Sequence, residues 1–257
     1  MNARKTHTLL LALLSFVLSS FTISPEEDFK AGNDHYANSR YAQAIESYEK
    51  VLNANVESAA LYYNMANAHY KLNNIAPSIF YFEKAKQLAP LDKEIKNNAA
   101  FAENMKIDAI STLPQNTVKK WVNGTVSILT IDGWAKTAVV FAILFVLLFL
   151  GYLFTVQSGK KRAFFITAFV SLLVTGASVG FSYYAFAKAS ADNPAIVFAT
   201  KVEIKSEPNL ASTSAFTLHE GTKVQVLESL GNWSRIQLSD GKIGWIPEDD
   251  IKLLNDF

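Results

Sequence analysis

Two long stretches almost free of formal charge, separated by a handful of residues, restrict this chain more than any other feature. Between Trp134 and Val156 the one charged residue is Lys136, and beyond the segment 157–162 the run 163–187 has none. A bilayer core about 30 Å thick is crossed by about 20 apolar residues in a helix. Lipid offers no partner for a free backbone N–H or C=O, so a spanning segment of this kind must be helical. We therefore read 134–156 and 163–187 as two transmembrane helices joined by the loop 157–162. Gly176 and Gly180, at small-xxx-small spacing, mark a face on which the two would pack closely.

The hairpin sets an address for the rest. Lys160, Lys161 and Arg162 crowd the connecting loop, and short basic loops stay on the cytoplasmic side. Both ends of the chain then lie outside the cytoplasm. Trp121, Trp134, Tyr183 and Tyr184 fall near the outer interface, where amphipathic rings are favoured. The segment 1–24 agrees: Arg4 and Lys5 precede a short apolar run at 9–18, the pattern of a secretory signal. Whether it is cleaved near Ser19 and Ser20 or kept as an anchor, residue 25 onward is outside.

The next stretch repeats itself. Tyr36, Tyr41, Ile45, Tyr48, Glu49 and Lys50 are followed 34 residues later by Tyr70, Ile75, Ile79, Phe82, Glu83 and Lys84, and Asn33 and His35 by Asn67 and His69. Gly32 and Ala66 hold a small-residue position, Ala44 and Ser78 a crossing position, and Tyr48 and Phe82 an inter-helix core. Ala85 and Pro90 close the second unit; Val51 and Val56 stand in those places in the first. A 34-residue period of paired helical patterns resembles the tetratricopeptide repeat. The segment 25–110 then holds two repeats and a capping helix carrying Asn97, Asn98, Phe101 and Met105.

That resemblance implies a concave side lined by the first helix of each pair. It would carry Phe29, Asn33, Tyr36, Tyr63, Asn67, Tyr70 and Lys71. Tyrosines beside repeated asparagines suit an extended peptide, since rings supply area at low entropic cost and amides bond its backbone. The same residues also serve simply to cover a stack, and both readings stand. The Asn33/Asn67 pair is similar to repeats that clamp a terminal carboxylate, but where those use lysines this chain has Phe29 and Tyr63.

The segment 111–133 mixes Trp121, Val122, Val126 and Ile128 with Lys119 and Lys120, an amphipathic juxtamembrane pattern. After a linker at 188–194 the pattern changes to short alternating runs at 195–204, 222–230, 233–238, 242–246 and 251–254. Turn signals at Glu207-Pro-Asn209, Glu220-Gly221, Gly231-Asn232 and Ser239-Asp-Gly241 break them. Residues 195–257 thus read as a small all-β barrel. Its Gly231-Asn-Trp233 and Gly244-Trp-Ile246 resemble the bacterial SH3 domain, although the first-strand Asn-Val-Arg of that family is here Val202-Glu-Ile-Lys205. Trp233 and Trp245 are either part of a ligand face or packed into the barrel. The loop 208–216, rich in Ser, Thr and Ala, would border such a face and reads as mobile.

Chemistry is not signalled. The four histidines lie in different segments without metal-ligand spacing, and no phosphate-cradling glycine loop or nucleophile elbow is present. The chain contains no cysteine, which excludes disulfides, thiolate metal sites and a catalytic thiol. Both modules flanking the hairpin are mildly acidic, against the basic face that nucleic acid requires. We expect no catalytic residue, no metal and no cofactor.

The order of signal, tetratricopeptide array, helical hairpin and bacterial SH3 domain resembles the BatE family of the Bacteroides aerotolerance operons, membrane proteins of Gram-negative bacteria. The resemblance implies an inner-membrane protein with both folded modules in the periplasm. It also implies sibling membrane proteins with von Willebrand factor A domains and a MoxR-type ATPase system as partners, in a complex linked to stress. Two functions follow as expectations: a non-enzymatic scaffold presenting peptide- or protein-binding modules, or an envelope sensor whose SH3 domain binds cell-wall peptide.

Overall fold

The computed structural model describes residues 24–114 and 116–255; apart from Ser24, the leader read at 1–24 lies outside them. The described residues divide into two compact units, one running to Leu88 and taking in Ile95–Asn104, the other made of Ala89–Glu94 and the residues from Met105 on.

The first unit is an array of antiparallel helix pairs: α1 (Pro25–Ala37) with α2 (Tyr41–Asn53), α3 (Ala59–Lys71) with α4 (Ile75–Leu88), and then α5 (Lys93–Glu103). Local sequence sets the ends. Ser24 caps α1 by accepting from the Glu27 N–H at 3.2 Å, and the Glu27 carboxylate accepts from the Ser24 N–H at 3.3 Å. This reciprocal box satisfies two donors that the first turn leaves open. Ser39 and Asn73 occupy the left-handed region at φ 59° and 60°, one in each turn within a pair. The backbone N–H groups of Arg40 and Asn74 then reach back to the carbonyls of His35 and His69 at 2.9 and 3.0 Å. Both turns share one geometry, 34 residues apart.

Packing inside the first pair follows from one small residue facing one large ring. A Cβ on Gly32 would lie 2.3 Å from the Tyr48 ring, so only glycine lets α1 approach α2 so closely. In the second pair the helices are tied by Ser78, which stands at the position of Ala44 and whose hydroxyl donates to the Ala66 carbonyl at 3.0 Å. Ala44, Tyr48, Val51, Leu61 and Met65 form a buried core that joins the two pairs.

In the second unit, α6 (Thr117–Val126) precedes two long apolar helices, α7 (Ile131–Phe154) and α8 (Ser158–Ala191). These are 24 and 34 residues long, apolar enough to cross a membrane, and mostly exposed. The connection is only residues 155–157, so Lys160, Lys161 and Arg162 stand in the first turns of α8 rather than in a loop. The seam between α7 and α8 is hydroxylic. Ser171 donates to the Phe141 carbonyl at 2.7 Å and Ser182 to the Ile131 carbonyl at 3.2 Å, while Ala168, Ser171 and Ser178 are buried. The face expected from Gly176 and Gly180 is not the one used, because nothing lies within 4 Å of a Cβ at either. The close approach is instead at Gly151, against the Phe164 ring. Position 171 lies five residues before Gly176, on another face of a helix with 3.6 residues per turn.

The amphipathic stretch before α7 is tied to the hairpin. Trp134 Nε1 donates to the Val126 carbonyl at 2.9 Å, and Asn123 Oδ1 accepts from Tyr184 Oη at 3.3 Å and Lys188 Nζ at 3.2 Å.

Seven antiparallel strands follow: β1 (Pro194–Val197), β2 (Lys201–Lys205), β3 (Ser214–His219), β4 (Lys223–Leu230), β5 (Trp233–Gln237), β6 (Ile243–Pro247) and β7 (Ile251–Leu253). Their order in the sheet is β3-β2-β6-β5-β4-β1-β7. The period-two alternation sends Val202, Ile204, Val226, Ile236 and Ile246 inward, into one core with Ala195, Val197 and Leu218. Gly244 is required there, since a Cβ would stand 2.4 Å from Ile204 Cγ2. The stretch 195–204 is two strands, not one. The segment 208–216 is less loose than its composition suggests: Ser206 N–H donates to the Thr213 carbonyl at 3.0 Å, Glu207 N–H to Ser212 Oγ at 3.0 Å, and β3 begins at Ser214.

Candidate functional site

In the helical array the first-helix residues form a ladder rather than a row of free side chains. Asn33 Oδ1 accepts from the Tyr48 hydroxyl at 2.9 Å and from Asn64 Nδ2 at 2.8 Å. One repeat on, Asn67 Oδ1 accepts from Asn98 Nδ2 at 3.4 Å, and Asn98 also donates to the Tyr63 hydroxyl at 2.5 Å. Each rung joins an asparagine to another 31 residues later, from one first helix to the next. The Asn67 amide meanwhile donates to the Tyr63 carbonyl at 2.9 Å. The rungs hold Asn33, Tyr63 and Asn67 in fixed orientation.

Phe29 packs against the Tyr48 ring at 5.9 Å and Tyr36 edge-on against Tyr41 at 5.3 Å. Tyr63 meets Phe82 at 6.0 Å. Tyr36 and Tyr70 are half-buried, and Lys71 is exposed. Burial, with the nearby Tyr41, holds the Tyr36 hydroxyl above its ordinary pKa, and burial pushes Tyr48 up to about 12. Both therefore remain neutral donors at any physiological pH. What the face offers a ligand is a set of fixed rings, the Tyr36 hydroxyl among them as a neutral donor, with Lys71 exposed at its edge. Sequence reasoning did not single out Asn64. The signal was there, since Asn64 and Asn98 are themselves 34 apart.

The β module carries its candidates on the outer face of β5 and β6. Register places Leu230 of β4, Trp233 of β5 and Pro247 of β6 side by side, an apolar row. Two residues along, Glu228, Arg235, Trp245 and Lys205 make a second row across four strands. Trp233 and Trp245 are thus neighbours on one face, half-buried, with the intervening Ser234 and Ile246 pointing inward. The cations in the second row are locally balanced, Arg235 by Glu228 and Lys205 by Glu203, each at 2.9 Å. The ion pair with Lys205 holds the Glu203 carboxyl below its ordinary range. Such a surface, aromatic with paired charges at its margin, fits a largely neutral ligand with hydrogen-bonding groups.

One element was not legible in the sequence. Residues 108–113, which precede the apolar helices, lie against the β module, which follows them. The Asp108 carboxylate accepts from the His219 N–H at 2.7 Å, from His219 Nδ1 at 2.8 Å and from the Thr222 hydroxyl at 2.7 Å. Ile110 packs on the barrel core, and the Leu113 N–H donates to the Ser239 carbonyl at 3.0 Å. This strap crosses from the β3–β4 turn to the β5–β6 turn.

Comparison with known proteins agrees with both modules. Residues 32–73 match the family model described as TPR repeat, residues 59–92 that of the tetratricopeptide repeat, and residues 200–252 that of the bacterial SH3 domain. No curated protein matches the chain. The architecture is therefore an all-α tetratricopeptide-type array, a two-helix apolar hairpin and a C-terminal SH3-like barrel. Modules of these two kinds bind proteins, peptides or peptidoglycan.

Proposed function

We propose that the chain is a non-enzymatic scaffold of a bacterial inner membrane, holding an array and an SH3 module together in the periplasm. The observation that carries this is the placing of two long apolar helices between a tetratricopeptide-type array and an SH3-like barrel along one chain. Asp108 precedes the first apolar helix and His219 follows the second. If both helices span, two crossings put both flanks on one side, and the Asp108–His219 bond agrees with that arrangement. The basic residues at the start of α8 favour the opposite, cytoplasmic side for the turn.

With only residues 155–157 between the helices there is little cytoplasmic surface for a signalling partner, which supports a scaffold over a sensor. The array would hold an extended segment of one partner across Tyr36, Tyr63 and Tyr70, and the β module a second partner across Trp233 and Trp245. The resemblance to the BatE family suggests membrane proteins with von Willebrand factor A domains and a MoxR-type ATPase system as those partners. The rival reading, wall sensing, is favoured by the row of Leu230, Trp233 and Pro247, a surface on which sugar or peptide could lie.

The test is affinity purification of the tagged full chain from native membranes, with and without residues 25–104. Loss of co-purifying membrane proteins on deletion supports the scaffold. Unchanged recovery, together with sedimentation of the chain on purified peptidoglycan, favours the sensor.

A further inference from the structure

We propose that the turn end of the hairpin is a binding site for the phosphate headgroup of an anionic glycerophospholipid, an inference that rests on α7 and α8 spanning a membrane. A recess of about 680 Å³ opens there between the end of α7 and the first turns of α8. One side of it is polar and cationic, made by Ser158, Lys161 and Arg162; the other is apolar, made by Tyr152, Phe165 and Ile166. Lys161 Nζ stands 5.0 Å from the centre of the Tyr152 ring, and that ring packs on Phe165 at 5.6 Å. The ammonium is thereby held beside an aromatic ring of the recess.

Charge fixes the class of ligand. No acidic residue occurs in the sequence between Asp132 and Asp192, so neither wall brings a carboxylate of its own. A ring face attracts an ammonium but leaves its charge intact. An anion is the complement. The apolar wall fits a lipid phosphate: Phe165 and Ile166 continue the recess into the apolar run of α8, alongside which the glycerol and acyl chains of a lipid would lie. Depth agrees, because basic pockets between helices at the cytoplasmic end of a span lie level with the headgroups.

The test places the full chain in nanodiscs of phosphatidylcholine containing trace spin-labelled phosphatidylglycerol or spin-labelled phosphatidylcholine. The wild type should immobilise phosphatidylglycerol in preference, and K161Q or R162Q should each lower that preference about fivefold. K160Q removes the same charge one residue away, from a side chain that does not line the recess, and should leave the preference near the wild-type value. Millimolar inorganic phosphate should not compete. The proposal is overturned if the wild type shows no preference, if K160Q matches K161Q, or if phosphate displaces the lipid. A chain that does not enter nanodiscs and is released from membranes by alkaline carbonate sinks the spanning assignment itself. An inserted chain without lipid preference sinks only the site.

Discussion

Asp108 and His219 are 111 residues apart in sequence, yet one carboxylate takes both the backbone N–H and the ring nitrogen of that histidine. Burial opposes ionisation of Asp108, but the bonds from the His219 ring, the Thr222 hydroxyl and the His219 N–H outweigh it and hold the carboxyl below its usual range. A group lowered on folding contributes stability that is present above its unfolded value, about 3.9, and is lost as pH falls through the folded one. The strap should therefore stay fixed at neutral pH and loosen only in acid, below about pH 4. D108A, which orphans the partners of a charged acceptor, should cost about 3 kcal/mol at pH 7. D108N should flatten the acid limb. Near-ultraviolet circular dichroism of the full chain in micelles, read from pH 7 down to pH 3, checks both.

The asparagine rungs make a second expectation. N64A removes the donor to Asn33 and N98A the donor to Tyr63 and Asn67. Each should destabilise the array by about 1 kcal/mol. In urea unfolding followed by far-ultraviolet dichroism, an unchanged midpoint for both would remove the ladder from the account of how the repeats cohere.

His35 Nδ1 is buried without a hydrogen-bond partner, whereas its counterpart in the next repeat, His69 Nδ1, lies 3.2 Å from Asn74 Nδ2. Arg40 occupies the position equivalent to Asn74. R40N should supply the missing bond and stabilise the first pair by about 1 kcal/mol. Amide exchange in α1 and α2 should slow about fivefold; unchanged exchange would leave the substitution without effect.

The hairpin seam separates two glycines of similar appearance. G151L must displace the Phe164 ring, while G176L meets open space. Disulfide crosslinking between cysteines introduced on α7 and α8 should fall sharply in the first variant and persist in the second. The reverse result would restore the Gly176/Gly180 face.

Trp233 and Trp245 are half-buried on the outer sheet face, so W233A or W245A should leave the barrel folded while abolishing capture of its ligand. Sedimentation with purified peptidoglycan and recovery of co-purifying proteins are the two readouts. Loss of amide-exchange protection in β5 and β6 would instead assign the rings to the core.

What the sequence revealed was whatever repeats or alternates. Tyr48 and Phe82 declared the array through a shared offset, and Trp233 and Trp245 the barrel through their flanking glycines. Strand β3 escaped because Ser212, Thr213 and Ser214 read as loop and hid the short alternation of Phe216 and Leu218, although it pairs with β2 along its length. Asp108 escaped for a different reason. A single carboxylate at the end of a helical region has no local signature, and its partners are fixed only once the sheet has formed. Gly176 and Gly180 misled because spacing alone does not say which side of a helix a pair occupies.

Helix α8 ends at Ala191 and β1 begins at Pro194, so Asp192 and Asn193 alone connect them. Both are pinned: the Asp192 carbonyl accepts from Asn255 Nδ2 at 2.7 Å and the Asn193 carbonyl from the Val226 N–H at 2.9 Å. A 34-residue helix is about 51 Å long and outreaches a hydrocarbon layer of about 30 Å. The barrel is therefore mounted on a stiff post instead of a leash. With no free linker between helix and sheet, a twist of α8 about its own axis turns the tryptophan face with it.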